Sequence, residues 1–160
     1  MHTLKMRLFS SLAVVLLLAN PPVPGCAQTA PLKGLTGVSV SVAIDSRVPA
    51  KPDLQDAVQR DAEIKLRVAG VGILPQRDVL KKPRLTISIS SYSSGGFFGL
   101  MVAFAEPAFL EPDPTLRVQA ATWMREAVVF SVDENEIRRM FKDMIDEFLS
   151  DWLIANPKQR

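Results

Sequence analysis

Apolar and polar residues alternate along several segments of this chain, with the period of two that is typical of a β-strand buried on one face. In the clearest segment, every second residue from Val38 to Ile44 is β-branched and apolar, and the residues between them are small or polar. Strands are predicted over residues 35–45, 71–74, 85–92, 100–110 and 115–123, the last with a continuation over 127–130.

A different spacing, with apolar residues every three or four positions, predicts two amphipathic helices. The first covers residues 53–68, where an apolar residue recurs at every fourth position from Leu54 to Leu66. We expect Asp53 to cap the start of this helix and Gly70 to stop it.

The second helix is predicted from a run of about 22 residues with the same spacing, which ends before Pro157. Charged residues occupy its other side. Either Ser131 with Glu134 or Asp133 with Glu136 can supply a capping box at its start.

The predicted order of elements is β-α-β-β-β-β-α. Turn-like connections between the later strands imply a mostly antiparallel sheet of about five strands. Each amphipathic helix needs an apolar surface to cover, and one face of the sheet can serve both. The sequence therefore predicts an α+β fold, a two-layer sandwich with both helices on one face of the sheet.

The first part of the chain has the order of a secretory signal peptide. Lys5 and Arg7 precede a largely apolar run over residues 8–19, and prolines follow that run. A membrane-spanning helix needs about 20 apolar residues, so the run is too short to be one. We expect a signal peptide over residues 1–27, a tether over residues 28–34 and a single domain over residues 35–157.

Two processing routes fit the end of this segment. Gly25 and Ala27 are small residues placed for ordinary cleavage, which would release a periplasmic or secreted protein. Alternatively, Val23-Pro24-Gly25-Cys26 resembles a lipobox, although Pro24 departs from that pattern. Cys26 would then carry lipid and anchor the protein to the outer membrane. Cys26 is the one cysteine of the chain, so on either route the mature domain has no disulfide.

Correcting the charge for the export segment changes the range of expected partners. The chain has 19 Lys and Arg residues against 17 Asp and Glu, and Lys5 and Arg7 are the charged residues of the segment 1–27. The remainder therefore carries 17 of each sign and is neutral. A neutral domain has no broad attraction to nucleic acid, so no nucleic-acid partner is predicted.

Few side chains of the predicted domain can carry chemistry. The one histidine, His2, lies in the signal segment, so a His-based triad and a His- or Cys-ligated zinc site are excluded from the domain. The sequence also lacks the glycine-rich phosphate-binding motifs. We predict no catalytic residue, no cofactor, no metal site and a protein that is not an enzyme. A carboxylate-based hydrolase, with a pair of acids among Glu106, Glu111 and Glu126, is the remaining enzymatic alternative.

The segment SSGGFFGLM places Phe97 and Phe98 at the tip of a glycine-rich hairpin. Aromatic residues at such a tip can insert into a membrane interface or a groove on a partner, or can fold back over the end of the sheet. We expect Phe97 and Phe98 to be partner contacts.

Several stretches together resemble a family of small exported bacterial proteins to which no activity is assigned. The resemblance covers most of the predicted domain and implies a periplasmic location, with no known catalytic residue. It is carried by residues 61–74, 85–104, 121–123 and 146–158, and the chain departs from it at residues 95–98 and 125–131.

The predicted function is therefore a non-enzymatic binding or accessory role in the bacterial envelope. Its partner is expected to be an envelope protein or a membrane surface, contacted through a sheet edge or the Phe97 hairpin. The sequence leaves the oligomeric state open.

Overall fold

The computed structural model describes residues 30–50, 52–77, 80–92, 97–111, 113–130 and 133–157. The order of elements over these residues confirms the predicted β-α-β-β-β-β-α arrangement and the α+β class. The predicted signal peptide, residues 1–27, and its Cys26 lie outside the described residues. The strands are β1 (Gly37–Ile44), β2 (Gly72–Ile73), β3 (Arg84–Tyr92), β4 (Phe97–Phe109) and β5 (Arg117–Val129), and the helices are α1 (Leu54–Ala69) and α2 (Glu134–Ala155).

The five strands form one mixed sheet in the order β2-β1-β3-β4-β5. Helix α1 carries the chain back to the start of β1, so both β2 and β3 run parallel to β1. The longer pairings, β3 with β4 and β4 with β5, are antiparallel, as the turn signals predicted. The sheet thus has a short parallel side and a long antiparallel side.

Both helices cover the same face of the sheet, and they run parallel to each other. Asp61 of α1 pairs with Arg138 of α2, and Lys65 pairs with Asp146 further along both helices. The apolar face of every long strand packs beneath them in one continuous core. Burying one such large side chain contributes about 1.5–3 kcal/mol. The largest fully buried side chains are Trp123, Phe104, Phe141 and Phe148.

The helix ends differ in how they are capped. Asp133 caps α2, because its carboxylate accepts hydrogen bonds from the backbone N–H groups of Asn135 and Glu136. The cap predicted from Asp53 is wrong: Asp53 precedes α1 with a nearly helical backbone, and its side chain makes no capping bond. Gly70 stops α1 as predicted, with a φ of 94° that favours glycine.

The last two strands are longer than the sequence predicted. Strand β4 begins at Phe97 rather than at residue 100, and β5 is one strand of 13 residues rather than two pieces. Strand β5 contains a bulge: Phe104 pairs with Trp123 and Ala105 pairs with Ala121, so Thr122 is an extra residue. This extra residue interrupts the alternation of apolar and polar positions along β5.

The segment predicted as a tether, residues 28–34, is folded over the part that the structure describes. Ala30–Leu32 form a turn of 3₁₀ helix, and Leu32 is fully buried in the core. The amide of Asn156 donates to the Leu32 carbonyl at 2.7 Å and accepts from the Gly34 N–H at 2.7 Å. Residues 30–34 therefore belong to the fold and not to the expected tether, because an apolar residue at position 32 reaches the core.

Candidate binding surface

The face of the sheet opposite the helices is covered by no described element. It carries small and hydroxyl-bearing side chains in the middle of the sheet, and Ser41 and Thr86 lie 3.4 Å apart, oxygen to oxygen, across β1 and β3. We call this surface the open face. Because these side chains are short, a partner could approach the backbone of the sheet closely on this face.

An exposed aromatic group lies on the open face where β3 ends and β4 begins. The rings of Phe97 and Phe130 meet edge to face, with centroids 4.9 Å apart. Tyr92 pairs with Phe97 in the register of β3 and β4, and its ring lies over Gly99, where a Cβ atom would come within 2.9 Å of the tyrosine ring. We call Tyr92, Phe97 and Phe130 the aromatic corner.

The aromatic corner is accessible to solvent. Tyr92 is 56% exposed, Phe97 is 38% exposed and Phe130 is 76% exposed. Val128, on the next strand, is 57% exposed and extends the apolar surface. Large apolar side chains gathered at one surface site are typical of contact surfaces.

The two phenylalanines predicted as contacts point in opposite directions. Phe98 pairs with Val129 and is only 8% exposed, inside the core. Its burial corrects the prediction for Phe98, because a strand sends neighbouring side chains to opposite faces. Phe97 faces the open side, and its contact with a partner stays a prediction.

Sequence reasoning did not identify Tyr92 and Phe130 as neighbours of Phe97. The register of two hairpins brings the three rings together, and neither register follows from local composition. A tight pairing of Tyr92 with Phe97 could have been inferred from the short turn between them. The place of Phe130 depends on the longer β4–β5 pairing.

A shallow pocket of about 100 Å³ adjoins the aromatic corner. Tyr92 and Gly99 line one side of it, and Glu126 and Val128 line the other. Serine hydroxyls from β3 complete its rim. The pocket can therefore receive a small apolar group beside a hydrogen-bond donor or a cation.

Two of the three carboxylates considered for hydrolysis, Glu106 and Glu126, are not brought together. Glu126 pairs with Met101 on β4, whereas Glu106 pairs with Ala120 five residues further along the same hairpin. At the rise of a strand that offset is about 17 Å. A pair of catalytic carboxylates works at about 5–10 Å, so these two acids do not form one. Burial raises the pKa of the Glu106 carboxyl.

Acidic residues in the middle and last turns of α2 are engaged in ion pairs. Asp143 pairs with Arg139, and Glu147 pairs with Arg125 of β5. Asp151 accepts a hydrogen bond of 2.8 Å from the indole N–H of the buried Trp123. Among the described residues, no group of acids, histidines or cysteines could hold a metal ion.

Asp61 is one of two described acids that link the two helices, the other being Asp146. Burial would raise the pKa of Asp61, but hydrogen bonds and charge from Arg138 and Lys142 outweigh it and lower that pKa overall. The Arg138 guanidinium lies 2.8 Å from the Asp61 carboxylate, and the Lys142 ammonium lies 3.2 Å from it. This cluster holds the helices together and faces away from the open face.

Strand β5 is an edge strand, as one predicted mode of partner binding requires. Its 13 residues have β4 as their one neighbour in the sheet. The bulge near Thr122 and the charges of Arg125 and Glu126 interrupt the edge. Bulges and charged side chains commonly protect an edge strand against uncontrolled pairing with another strand.

Neither described helix combines the length and apolarity needed to cross a bilayer.

Comparisons with known proteins identify no family for this chain. No family model and no curated protein matches it. A PelC dodecamer from Paraburkholderia phytofirmans is 17% identical over 74% of this chain and 87% of that chain, with a TM-score of 0.43. The rare lipoprotein B from Shewanella oneidensis is 16% identical over 73% and 92%, with a TM-score of 0.25. Likeness at this level assigns no function here.

Proposed function

We propose that this chain is an exported, non-enzymatic domain of the bacterial envelope that binds a partner protein through its aromatic corner. The observation that carries this proposal is the exposure of Phe97 and Phe130, whose rings contact each other edge to face on the open face. Exposing two large rings has a solvation cost that a partner would remove.

The chemistry around the corner indicates what the partner brings. The adjoining pocket is lined both by apolar side chains, among them Leu100 and Val128, and by the carboxylate-bearing Glu126. A partner segment with an apolar side chain next to a lysine or arginine would satisfy both. Interfaces of this kind draw most of their affinity from a few aromatic anchors.

In-cell crosslinking followed by purification tests this proposal. A photo-crosslinking residue replaces Phe97 in one strain and Ile64 in another. Ile64 is 54% exposed on the helix layer and serves as the matched control. We expect one partner to crosslink from position 97 and not from position 64.

The identified partner is then purified and its affinity measured. We expect Phe130→Ser to weaken binding by about tenfold or more, which is the usual effect of removing a central aromatic anchor. Glu126→Lys should also weaken binding, because the new lysine would repel the lysine or arginine proposed for the partner. Equal crosslinking from both positions, or an unchanged affinity of the Phe130→Ser variant, would contradict the proposal.

We further propose lipid attachment at Cys26 as the alternative to a free periplasmic domain. The lipobox-like residues before Cys26 favour it. The mass of the mature N-terminus distinguishes the two forms, since an acylated Cys26 is heavier than an unmodified chain that begins at Gln28.

A further inference from the structure

The chain enters the fold at one end of the molecule, which we call the entry end. The indole N–H of Trp152 donates to the Leu35 carbonyl at 2.9 Å, and Asn156 holds Leu32 and Gly34. The C-terminal ends of both helices therefore lie beside the first described residues. Gly72, just after α1, donates to the Thr36 carbonyl, which places the end of α1 there too.

The β4–β5 hairpin projects from the same entry end. The last pair between β3 and β4 joins Arg84 and Ala105, so residues 106–109 and 117–120 extend past the start of β3. Pro107 lies in this extension, where β4 has β5 alone as a neighbour, which suits a residue without an N–H group.

The tip of this projecting hairpin is apolar and exposed. Phe109 is 59% exposed, Leu110 is 43% exposed and Leu116 is 52% exposed. The Arg117 guanidinium lies over the Phe109 ring, 5.3 Å from its centroid. We call Phe109, Leu110 and Leu116 the hairpin tip. At a bilayer interface, apolar side chains enter the acyl boundary and cationic groups stay at the headgroups. An apolar tip with an arginine beside it fits that arrangement.

Charged residues of both signs lie at the entry end. Basic residues are numerous at the entry end, and the Gln119 side chain donates to the Lys82 carbonyl, which ties their loop to the hairpin. The acids there are Glu106, Glu111 and Asp113, and the bases are Lys33, Lys81, Lys82, Arg84 and Arg117.

We propose that the hairpin tip inserts into the interfacial layer of a bilayer and docks the entry end on the membrane. This inference rests on the export and anchoring proposed above. Cys26 precedes the buried Leu32 by six residues, which span at most about 20 Å. A lipid on Cys26 would therefore hold this end, and no other, against the membrane.

The same geometry directs the aromatic corner away from the bilayer. Strand β4 runs 13 residues from Phe97 to Phe109, a length of about 40 Å at the rise of a strand. With the tip in the membrane, Phe97 faces the interior of the compartment, where a protein partner can reach it. Membrane docking and partner binding thus use opposite ends of one hairpin strand.

Two single-thiol variants test the orientation. In a full-length Cys26→Ser chain, exported and purified from the expressing cells, no acyl chain contributes and no other cysteine remains. Leu110→Cys or Val128→Cys is then added and labelled with an environment-sensitive dye. On addition of vesicles of phosphatidylethanolamine and phosphatidylglycerol, we expect a blue shift from position 110 and none from position 128.

Vesicle sedimentation tests the contribution of each tip residue. We expect Phe109→Ser and Leu116→Ser each to lower partitioning about tenfold, from the apolar surface removed. Met124→Ser, at a side chain that is 45% exposed in the middle of β5, is the control and should leave partitioning unchanged.

Three results would overturn the inference: no vesicle binding by the Cys26→Ser chain, a blue shift from position 128 alone, or no blue shift from either position. The proposed function fails separately, if the Phe130→Ser variant keeps the partner affinity of the parent or if positions 97 and 64 crosslink equally.

Discussion

Leu32→Ala tests the correction of the predicted tether. A tether residue can be truncated without effect, whereas Leu32 is fully buried and its segment is held by Asn156. Leucine-to-alanine changes in cores cost about 2–5 kcal/mol. Leu32 lies in a short turn that can partly collapse around the cavity, so we expect a loss in the lower part of that range, about 2–3 kcal/mol.

Urea unfolding followed by tryptophan fluorescence measures this loss. Trp152 donates to the Leu35 carbonyl and therefore reports on the segment itself, while Trp123 reports on the centre of the core. A loss of this size should lower the melting temperature by about 10 °C in a domain of this length. The slope of the free energy of unfolding against urea concentration should stay unchanged, since the folded state stays equally compact.

Leu80→Ala is the matched control, because it deletes the same atoms from a side chain that is 51% exposed. We expect its free energy of unfolding to stay within about 0.5 kcal/mol of the parent. If Leu32→Ala and Leu80→Ala unfold at the same urea concentration, the segment is a tether after all. The entry end would then lose the fixed point from which the reach of Cys26 is measured.

Three further changes test the helix layer and its ends. Asp61→Asn should destabilise the domain by about 1–2 kcal/mol at neutral pH. The folded state lowers the pKa of Asp61 below its ordinary 3.8. The stability that the carboxylate contributes is therefore present above pH 3.8 and is lost as the pH falls through the folded pKa. If the Asp61→Asn variant is less stable than the parent by the same amount at pH 7 and at pH 2.5, this reasoning is contradicted. Gly70→Ala should cost about 1 kcal/mol, because the residue has a φ of 94°, with Ala69→Gly as a helix-propensity control in thermal melts. Trp123→Phe should cost about 1–2 kcal/mol by removing the N–H that donates to Asp151; a stability in urea equal to that of the parent would mean that water replaces this bond without loss.

The local pattern of this sequence determined its elements. Alternation identified β1 and β3 within one or two residues, and apolar steps of three and four identified both helices. These patterns are reliable here because each reflects one periodic contact with one apolar layer. The α+β class followed because two amphipathic helices need a common apolar face.

Only the tertiary structure decided how these elements are placed. Strand β1 lies between β2 and β3 because the pairing of distant segments depends on the whole sheet, not on any window of sequence. The same register sends Phe98 to the core and leaves Phe97 on the open face. A period of two shows that a strand has two faces, but only the packed helices determine which face water reaches.

The position of the exposed apolar residues was also beyond local patterns. The sequence by itself drew attention to the glycine-rich tip at Phe97, which lies at the far end of β4 from the entry end. It could not single out Phe109, Leu110 and Leu116, because their exposure arises where the β4–β5 hairpin outruns β3. The membrane docking that we propose for the entry end rests on the length of that overhang and on the burial of Leu32, and both are properties of the assembled sheet.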